Sequence, residues 1–242
     1  MDREYAASYS ELYRRHWWWR AREVAILDVI SRLRSPSDWG DILDVGCGDG
    51  LLFDHLLKLG NVEGVEPDAS LVRDDGPHRC RIHTVPFDQG FLPRARYSLI
   101  LMLDVLEHLA DPVAALCHAR RLLAPGGILL CTVPAFHLIW TNHDALNRHV
   151  TRYTKRSFRA VALAAGLEIV RESYLFQWVF AAKLGVRLSE RVTKSEPSVP
   201  GIPHAWVNAL LFHLTRAEYA MLRPWPVPFG SSLLVVAKRN EP

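Results

Sequence analysis

The chain has 242 residues, a length that one large α/β domain commonly reaches, so we expect a single domain over residues 1–242. Hydrophobic residues make up 49% of the chain and charged residues 23%, a balance typical of a globular protein with a sizeable core. The net charge of +3 is too small to indicate a nucleic-acid-binding protein. The four cysteines lack CxxC spacing, which predicts neither a zinc site nor a redox pair and is typical of thiols in a reducing cytosol.

The N-terminus is charged and lacks the apolar core of a signal peptide. The sequence also contains no uncharged apolar stretch of about 18 residues, the length that a spanning helix needs. We therefore expect a cytoplasmic protein without a spanning segment.

Hydrophobic periodicity predicts the elements in chain order. Residues 3–34 have apolar positions at helical spacing and predict one or two helices that end before Ser35 and Pro36. Strands then alternate with helices, the strands at 41–45, 62–65, 81–85, 98–103, 127–133, 167–174 and 232–237 and the helices at 50–59, 112–123 and 157–165. This alternation predicts a doubly wound, Rossmann-like α/β fold with a seven-stranded, mostly parallel sheet. Two apolar helical stretches in residues 178–229, around a proline- and serine-rich break at 195–203, predict a helical insertion before the last strand.

A glycine-rich turn, Gly46-Cys47-Gly48-Asp49-Gly50, follows the first predicted strand. Glycine suits positions where the backbone takes unusual dihedral angles or approaches a ligand closely, and ligands of such folds bind at the carboxyl ends of strands. Leu51 stands where the dinucleotide fingerprint has its third glycine, which disfavours NAD. Glu66 ends the next strand about 20 positions later, where an acid can accept hydrogen bonds from both hydroxyls of a ribose. The pattern therefore predicts an adenosine-type cofactor.

The segment from Asp44 to Gly50 resembles the first motif of class I S-adenosylmethionine (SAM)-dependent methyltransferases. Asp104–Leu109 and Pro125-Gly126-Gly127 are similar to the fourth and fifth strand regions of that family. The resemblance covers residues 40–175 and is closest to the small-molecule group typified by ubiquinone-biosynthesis methyltransferases. It implies that SAM is the cofactor.

The resemblance also implies roles for individual residues. Asp44 and the glycine backbone would hold the methionine part of SAM, Glu66 its ribose and Asp88 its adenine amine. Asp104 and His108 would lie beside the cofactor at the end of the fourth strand. The complete predicted cofactor site is Asp44, Gly46, Cys47, Gly48, Gly50, Glu66, Pro67, Asp88, Leu103, Asp104 and His108.

The segment from Trp140 to Tyr153 follows the fifth strand, so we expect it to begin at the ligand edge of the sheet. A hydroxyl acceptor must lose its proton during methyl transfer, and an imidazole suits this work near neutral pH. His143 is the first candidate base and His149 the second. The alternative is that these residues only cap the next helix and satisfy one another. No convincing ligand set for a metal is found.

The favoured function is O-methylation of a small molecule or of a glycan- or lipid-linked acceptor. Nucleic acid is disfavoured because Leu103–Leu106 replaces the Asn/Asp-Pro-Pro-aromatic segment of enzymes that methylate base amines. A Pro-Cys nucleophile motif is also absent. N-methylation of a small amine and a SAM-binding module without catalysis remain open alternatives.

Two flanking segments have two interpretations each. Residues 1–36 contain Trp17-Trp18-Trp19, whose rings either pack in the core or form an N-terminal helical lid over SAM or the acceptor. The insertion at 178–229 is a dimer face or satellite core, or it covers a lipid-like substrate or rests on a membrane surface. Its ending, 224–230, resembles members associated with bacterial glycan or polyprenyl-lipid metabolism.

Overall fold

The computed structural model describes residues 10–34, 39–93, 95–193 and 200–240. The helix that was predicted to end before Ser35 and Pro36 ends at Leu33, and those two residues themselves lie outside the described ranges. So do most of the predicted break at 195–203 and the first nine residues of the predicted lid.

The strands are β1 Asp41–Val45, β2 Asn61–Val65, β3 Ile82–His83, β4 Tyr97–Leu103, β5 Leu123–Pro134, β6 Leu167–Leu175 and β7 Ser232–Arg239. They form one seven-stranded sheet in the order β3-β2-β1-β4-β5-β7-β6. All neighbouring pairs are parallel except the two that involve β7. This sheet confirms the predicted fold class. The strand order reverses beside β1, which has β2 on one side and β4 on the other, so a ligand crevice is expected at the carboxyl end of β1.

The α-helices with both ends described are α1 Trp17–Leu33, α2 Phe53–Leu56, α3 Pro112–Leu122, α4 Asn142–Leu146, α5 Lys155–Ala164, α6 Gln177–Thr193 and α7 Ala205–Leu222. Both faces of the sheet are covered. Leu43 of β1 belongs to the core cluster that contains Leu116 of α3, whereas its neighbour Ile42 belongs to the cluster that contains Ile30 of α1. This alternation follows from the opposite orientation of successive side chains in a strand.

Three elements differ in length from the sequence prediction. The helix predicted at 50–59 is reduced to α2. Gly50 has a φ of +71°, which is not helical, so the helix starts later than predicted, and residues 57–59 form turns. The strand predicted at 81–85 is only β3, because its partner β2 ends at Val65, opposite His83. Strand β5 starts earlier than predicted because Leu123 already pairs with Tyr97, before a register shift at the Pro-Gly-Gly turn.

The three adjacent tryptophans pack against the body of the protein. Trp19 is buried beside Leu12. The rings of Trp17 and Trp18 pack against the core cluster that contains Ile30 and Phe176. The Trp17 ring lies 5.3 Å from that of Trp178, and the Trp18 ring lies 4.8 Å from that of Phe176. The packing interpretation therefore accounts for all three rings in the described structure, and the lid remains a prediction.

Helices α6 and α7 form the predicted insertion between β6 and β7. Trp206, Leu210, Leu214 and Met221 of α7 are exposed, while Leu211 is half-buried. Among the residues described, no helix combines the length and apolar character needed to cross a bilayer.

Candidate active site

The glycine loop turns sharply at the carboxyl end of β1. Gly46, Gly48 and Gly50 have φ angles of +73°, +53° and +71°, a left-handed region that favours glycine. A Cβ added at Gly46 would lie 2.7 Å from Cγ2 of Val105, so the loop after β4 limits that position. A Cβ added at Gly48 would meet no atom within 4 Å, which shows open space above the loop.

Two buried acids lie under this loop. The Glu66 carboxylate accepts hydrogen bonds from the backbone N–H groups of Gly48 and Asp68, both at 3.0 Å, and burial raises its pKa. Burial, and then the charge of Glu66, raises the pKa of Asp44 to about 7. None of the hydrogen bonds of the described residues involves the Asp44 carboxylate. A buried acid without a partner is a favourable place for a cationic ligand.

The other predicted cofactor residues lie around the same edge or in flanking turns. Cys47 is buried, and burial raises its pKa. Asp88 is exposed in the turn after β3, where its Oδ1 accepts a hydrogen bond from Gly90 N at 2.7 Å. Pro67 is exposed after β2, and Leu103 is half-buried at the end of β4.

Asp104, directly after β4, forms a hydrogen-bonded cluster with α1 and β5. Its φ of +56° is uncommon for a residue other than glycine and is found at functional sites. Arg22 Nη1 lies 2.7 Å from Asp104 Oδ2, and the Thr132 hydroxyl donates to Asp104 Oδ1 at 3.0 Å. Arg22 also donates to that hydroxyl. Sequence reasoning missed Arg22, whose only signal is its place on the buried face of α1.

The segment after β5 is organised around the fully buried Asp144. Its carboxylate accepts two hydrogen bonds from Arg152, at 2.8 and 2.9 Å, and one from Thr141 N at 2.9 Å. His149 Nδ1 donates to Asp144 Oδ1 at 2.8 Å. Burial alone would raise the pKa of Asp144, but the hydrogen bonds from His149 and Arg152 outweigh it and hold that pKa well below its usual range.

The two candidate bases have different surroundings. His143 Nε2 accepts a hydrogen bond from the Asn147 amide at 3.1 Å, and burial, followed by the charge of Lys183, lowers the pKa of His143 to about 3. The His149 ring is held by Asp144 through Nδ1, and its Nε2 lies 3.9 Å from Glu107 Oε1. A ring fixed through Nδ1 leaves Nε2 as the atom that can accept a proton.

Glu107, His108 and His149 each offer one ligand atom, and these atoms lie within 4.8 Å of one another. Both carboxylate oxygens of Glu107 are buried without a hydrogen-bond partner, and burial, followed by the charge of Asp104, raises its pKa well above the usual range. Burial lowers the pKa of His108 to about 4. These residue types could hold a divalent metal ion. The sequence indicated no metal site because the three residues come from two separate loops.

Replacing Arg152 by methionine is expected to lower the free energy of unfolding by about 3–5 kcal/mol, because Asp144 would remain buried and charged without its partner. Denaturant unfolding followed by circular dichroism measures the loss. Arg159→Met, which breaks the exposed ion pair with Glu172, is the matched control and should leave the free energy of unfolding nearly unchanged. Equal losses in the two variants would contradict this account.

Since the pKa of Asp144 is lowered, the stabilising contribution of its ionised carboxylate is present above about pH 4 and is lost as the pH falls.

A family model described as a methyltransferase domain matches residues 18–172, well over half of the chain. The ubiquinone biosynthesis O-methyltransferase of Cereibacter sphaeroides is 33% identical over 98 residues, which are 38% of this chain and 40% of that protein. The enzyme of the same name from Hydrogenovibrio crunogenus is 28% identical over 159 residues, 60% of this chain and 61% of that protein. The chain thus spans less than two thirds of the length of these curated relatives.

Solved structures show the same fold. A SAM-dependent methyltransferase from Archaeoglobus fulgidus superposes with a TM-score of 0.55 at 12% identity, over 90% of this chain and 94% of that one. Magnesium protoporphyrin IX methyltransferase from Synechocystis, solved with bound S-adenosylhomocysteine (SAH), gives a TM-score of 0.54 at 15% identity, over 90% and 81%.

The sheet with its antiparallel last strand, the glycine loop after β1 and the acid after β2 together define a Rossmann-like α/β fold with a candidate ligand site at the carboxyl end of β1. The chain belongs to the methyltransferase-domain family, as a class I SAM-dependent methyltransferase. Its cofactor is therefore SAM, which confirms the resemblance found in the sequence.

Proposed function

We propose that this enzyme transfers the methyl group of SAM to a hydroxyl oxygen of a small molecule, including glycan- or lipid-linked acceptors. The observation that carries the proposal is the His149–Asp144 pair, a positioned imidazole after β5 at the ligand edge of the sheet. An oxygen acceptor needs a base far more than an amine does. The relatives named as ubiquinone biosynthesis O-methyltransferases support oxygen as the acceptor atom.

The residues of the glycine loop fit SAM. The open space above Gly48 leaves room for a ligand against the backbone, and the unpaired Asp44 carboxylate suits the positively charged methionine part. Glu66 is proposed to accept hydrogen bonds from the ribose hydroxyls, and Asp88 remains the proposed contact for the adenine amine. When bound, SAM supplies an electrophilic methyl group on a sulfonium sulfur.

Replacing Glu66 by alanine is expected to weaken SAM binding by about 1.5–3 kcal/mol, roughly 10- to 150-fold, because the ribose hydroxyls lose a charged acceptor. Isothermal titration calorimetry with SAH measures the change. Glu63→Ala is the matched control. Glu63 lies on β2, shortly before Glu66, and its carboxylate accepts a hydrogen bond from the Tyr97 hydroxyl. An unchanged dissociation constant in folded Glu66→Ala protein would show that Glu66 does not hold the ribose.

His149 is the better-placed of the two candidate bases. Asp144 fixes its ring and stabilises the imidazolium that forms when Nε2 takes the acceptor proton. His143, the first candidate from the sequence, is a weak base at neutral pH, because its pKa is about 3. It is the second candidate here and can also shape the acceptor pocket.

The remaining elements are proposed to complete the acceptor side. Arg22 of α1 contacts Asp104 and Thr132, so the N-terminal helix is proposed to cover the cofactor edge of the sheet. The whole chain is proposed to form a single domain. The exposed apolar face of α7 is proposed as a dimer or lipid contact, and no nucleic acid is proposed as acceptor.

A panel of matched acceptors tests the choice of oxygen. Phenols and catechols are paired with anilines of the same ring, and methyl gain is detected by mass spectrometry after incubation with SAM. We expect methylation of the hydroxylated members, because an oxygen acceptor uses the positioned base. Methylation of the amines alone would overturn the proposal in favour of N-methylation.

A further inference from the structure

Helix α6 lies after the segment that the family model matches, yet it packs against the acceptor segment. Arg187 Nη1 donates to the carbonyl oxygens of His137 and Leu138, at 2.7 and 2.8 Å. The Glu190 carboxylate accepts a hydrogen bond from Asn142 N at 3.1 Å. Lys183 is one turn before Arg187, so all three side chains lie on the helix face that contacts residues 137–142.

The charge of Lys183 acts on charged groups in and around the segment after β5, where the acceptor is proposed to bind. The groups whose charges shift its pKa are Arg152, Asp144, Asp104 and Arg22, and Lys183 in turn lowers the pKa of His143. Burial of the ammonium group is the largest cause that lowers the pKa of Lys183 to about 8, with Arg152 next. The residue is partly exposed, which leaves a path from solvent.

Lys183 has no hydrogen bond or ion pair with any other residue in the described ranges. Both nearby carboxylates are already engaged, Asp104 by Arg22 and Asp144 by Arg152. Neither carboxylate therefore pairs with Lys183. A cation that is largely removed from water and has no partner is unfavourable unless a ligand pairs with it.

We propose that Lys183 binds an anionic oxygen group, a carboxylate or phosphate, of the methyl acceptor. This inference rests on the proposed function, because it assigns the substrate class of the same site. The carboxylate of SAM has the same chemistry. The residues proposed to hold the methionine part and the ribose of SAM, however, lie at the ends of β1 and β2, whereas Lys183 lies on the helix face that contacts the segment after β5. Lys183 is therefore a specificity residue contributed by the insertion.

Direct binding to SAH-loaded protein tests the inference without turnover. The probes are benzoate and phenyl phosphate, with benzamide as their neutral counterpart. They carry a ring because aromatic side chains lie close to Lys183. Phe180 is one turn before it, and the centroid of the Phe180 ring is 5.6 Å from that of Phe136. The variants are Lys183→Met, which keeps the stem but removes the charge, and Lys183→Arg, which keeps the charge. Lys58→Met removes an exposed lysine and is the control.

We expect wild type, Lys183→Arg and Lys58→Met to bind the better anion about tenfold more tightly than benzamide, an effect of one charged hydrogen bond. Lys183→Met should lose this preference while its SAH affinity stays unchanged. Equal binding of anions and benzamide by wild type would overturn the inference, as would a preference that survives in Lys183→Met. Weakened SAH binding in Lys183→Met would assign Lys183 to the cofactor carboxylate instead. These readouts are independent of whether oxygen or nitrogen is methylated.

Discussion

Replacing His149 by alanine is expected to lower the turnover number by about 10²–10⁴-fold while SAH affinity stays within a few-fold, as for the loss of a general base. The reason is geometric. Asp144 is fully buried, holds His149 Nδ1 at 2.8 Å and is itself fixed by Arg152, so the free Nε2 has one orientation. Steady-state kinetics with the best hydroxylated acceptor of the panel measures the loss.

His143→Ala is the matched variant for this prediction. Since the pKa of His143 is lowered to about 3, its removal should cost much less in turnover and should leave the pH dependence unchanged. Asp144→Asn should resemble His149→Ala in turnover, because the ring would lose the carboxylate that stabilises its charged form. A wild-type rate for His149→Ala, together with a loss in His143→Ala, would transfer the base role to His143.

Replacing Gly48 by valine should abolish measurable SAM binding. The substituted residue would need a φ of +53°, which β-branched residues rarely adopt, and its side chain would fill the open space above the loop. Gly48 N also donates to Glu66, so a shifted backbone would displace the proposed ribose acid as well. Calorimetry with SAH and far-ultraviolet circular dichroism together separate lost binding from lost folding.

Gly40→Val is the control for this substitution. Gly40 also has free space for a Cβ, but it lies before β1 at the opposite end of the strand and lacks a positive φ. The Gly40→Val variant should therefore bind SAH normally. Normal binding by Gly48→Val would mean that the loop is only a turn between β1 and α2.

Local patterns in the sequence predicted the order of the elements, because β1, β4, β5 and β7 are largely apolar and the strands alternate with helical stretches. Element lengths were harder. The end of β3 depends on where β2 ends, and the start of β5 depends on its pairing with Tyr97, and both are contacts between distant parts of the chain. The glycine loop and Glu66 were predictable since the loop is continuous and the acid follows the next strand.

The acceptor side was less predictable, because it is assembled from separate segments. Arg22 comes from the first helix and Lys183 from the insertion, and neither belongs to a motif. The sequence predicted His143 and His149 as candidate bases from their position after the fifth strand and from imidazole chemistry, neither of which shows the contacts of each ring. Their ranking depends on which ring Asp144 contacts and on which one is buried beside a lysine.

Transfer of an isotopically labelled methyl group from SAM is the measurement that tests the central claim most directly. The protein is incubated with methyl-labelled SAM and a small-molecule extract of cells, and the products are separated and analysed by mass spectrometry and nuclear magnetic resonance. The account predicts label in a small acidic molecule as an oxygen-bound methyl group, and none with the Gly48→Val variant. Micromolar binding of SAM without label in any product would contradict it and would leave a SAM-binding module without catalysis.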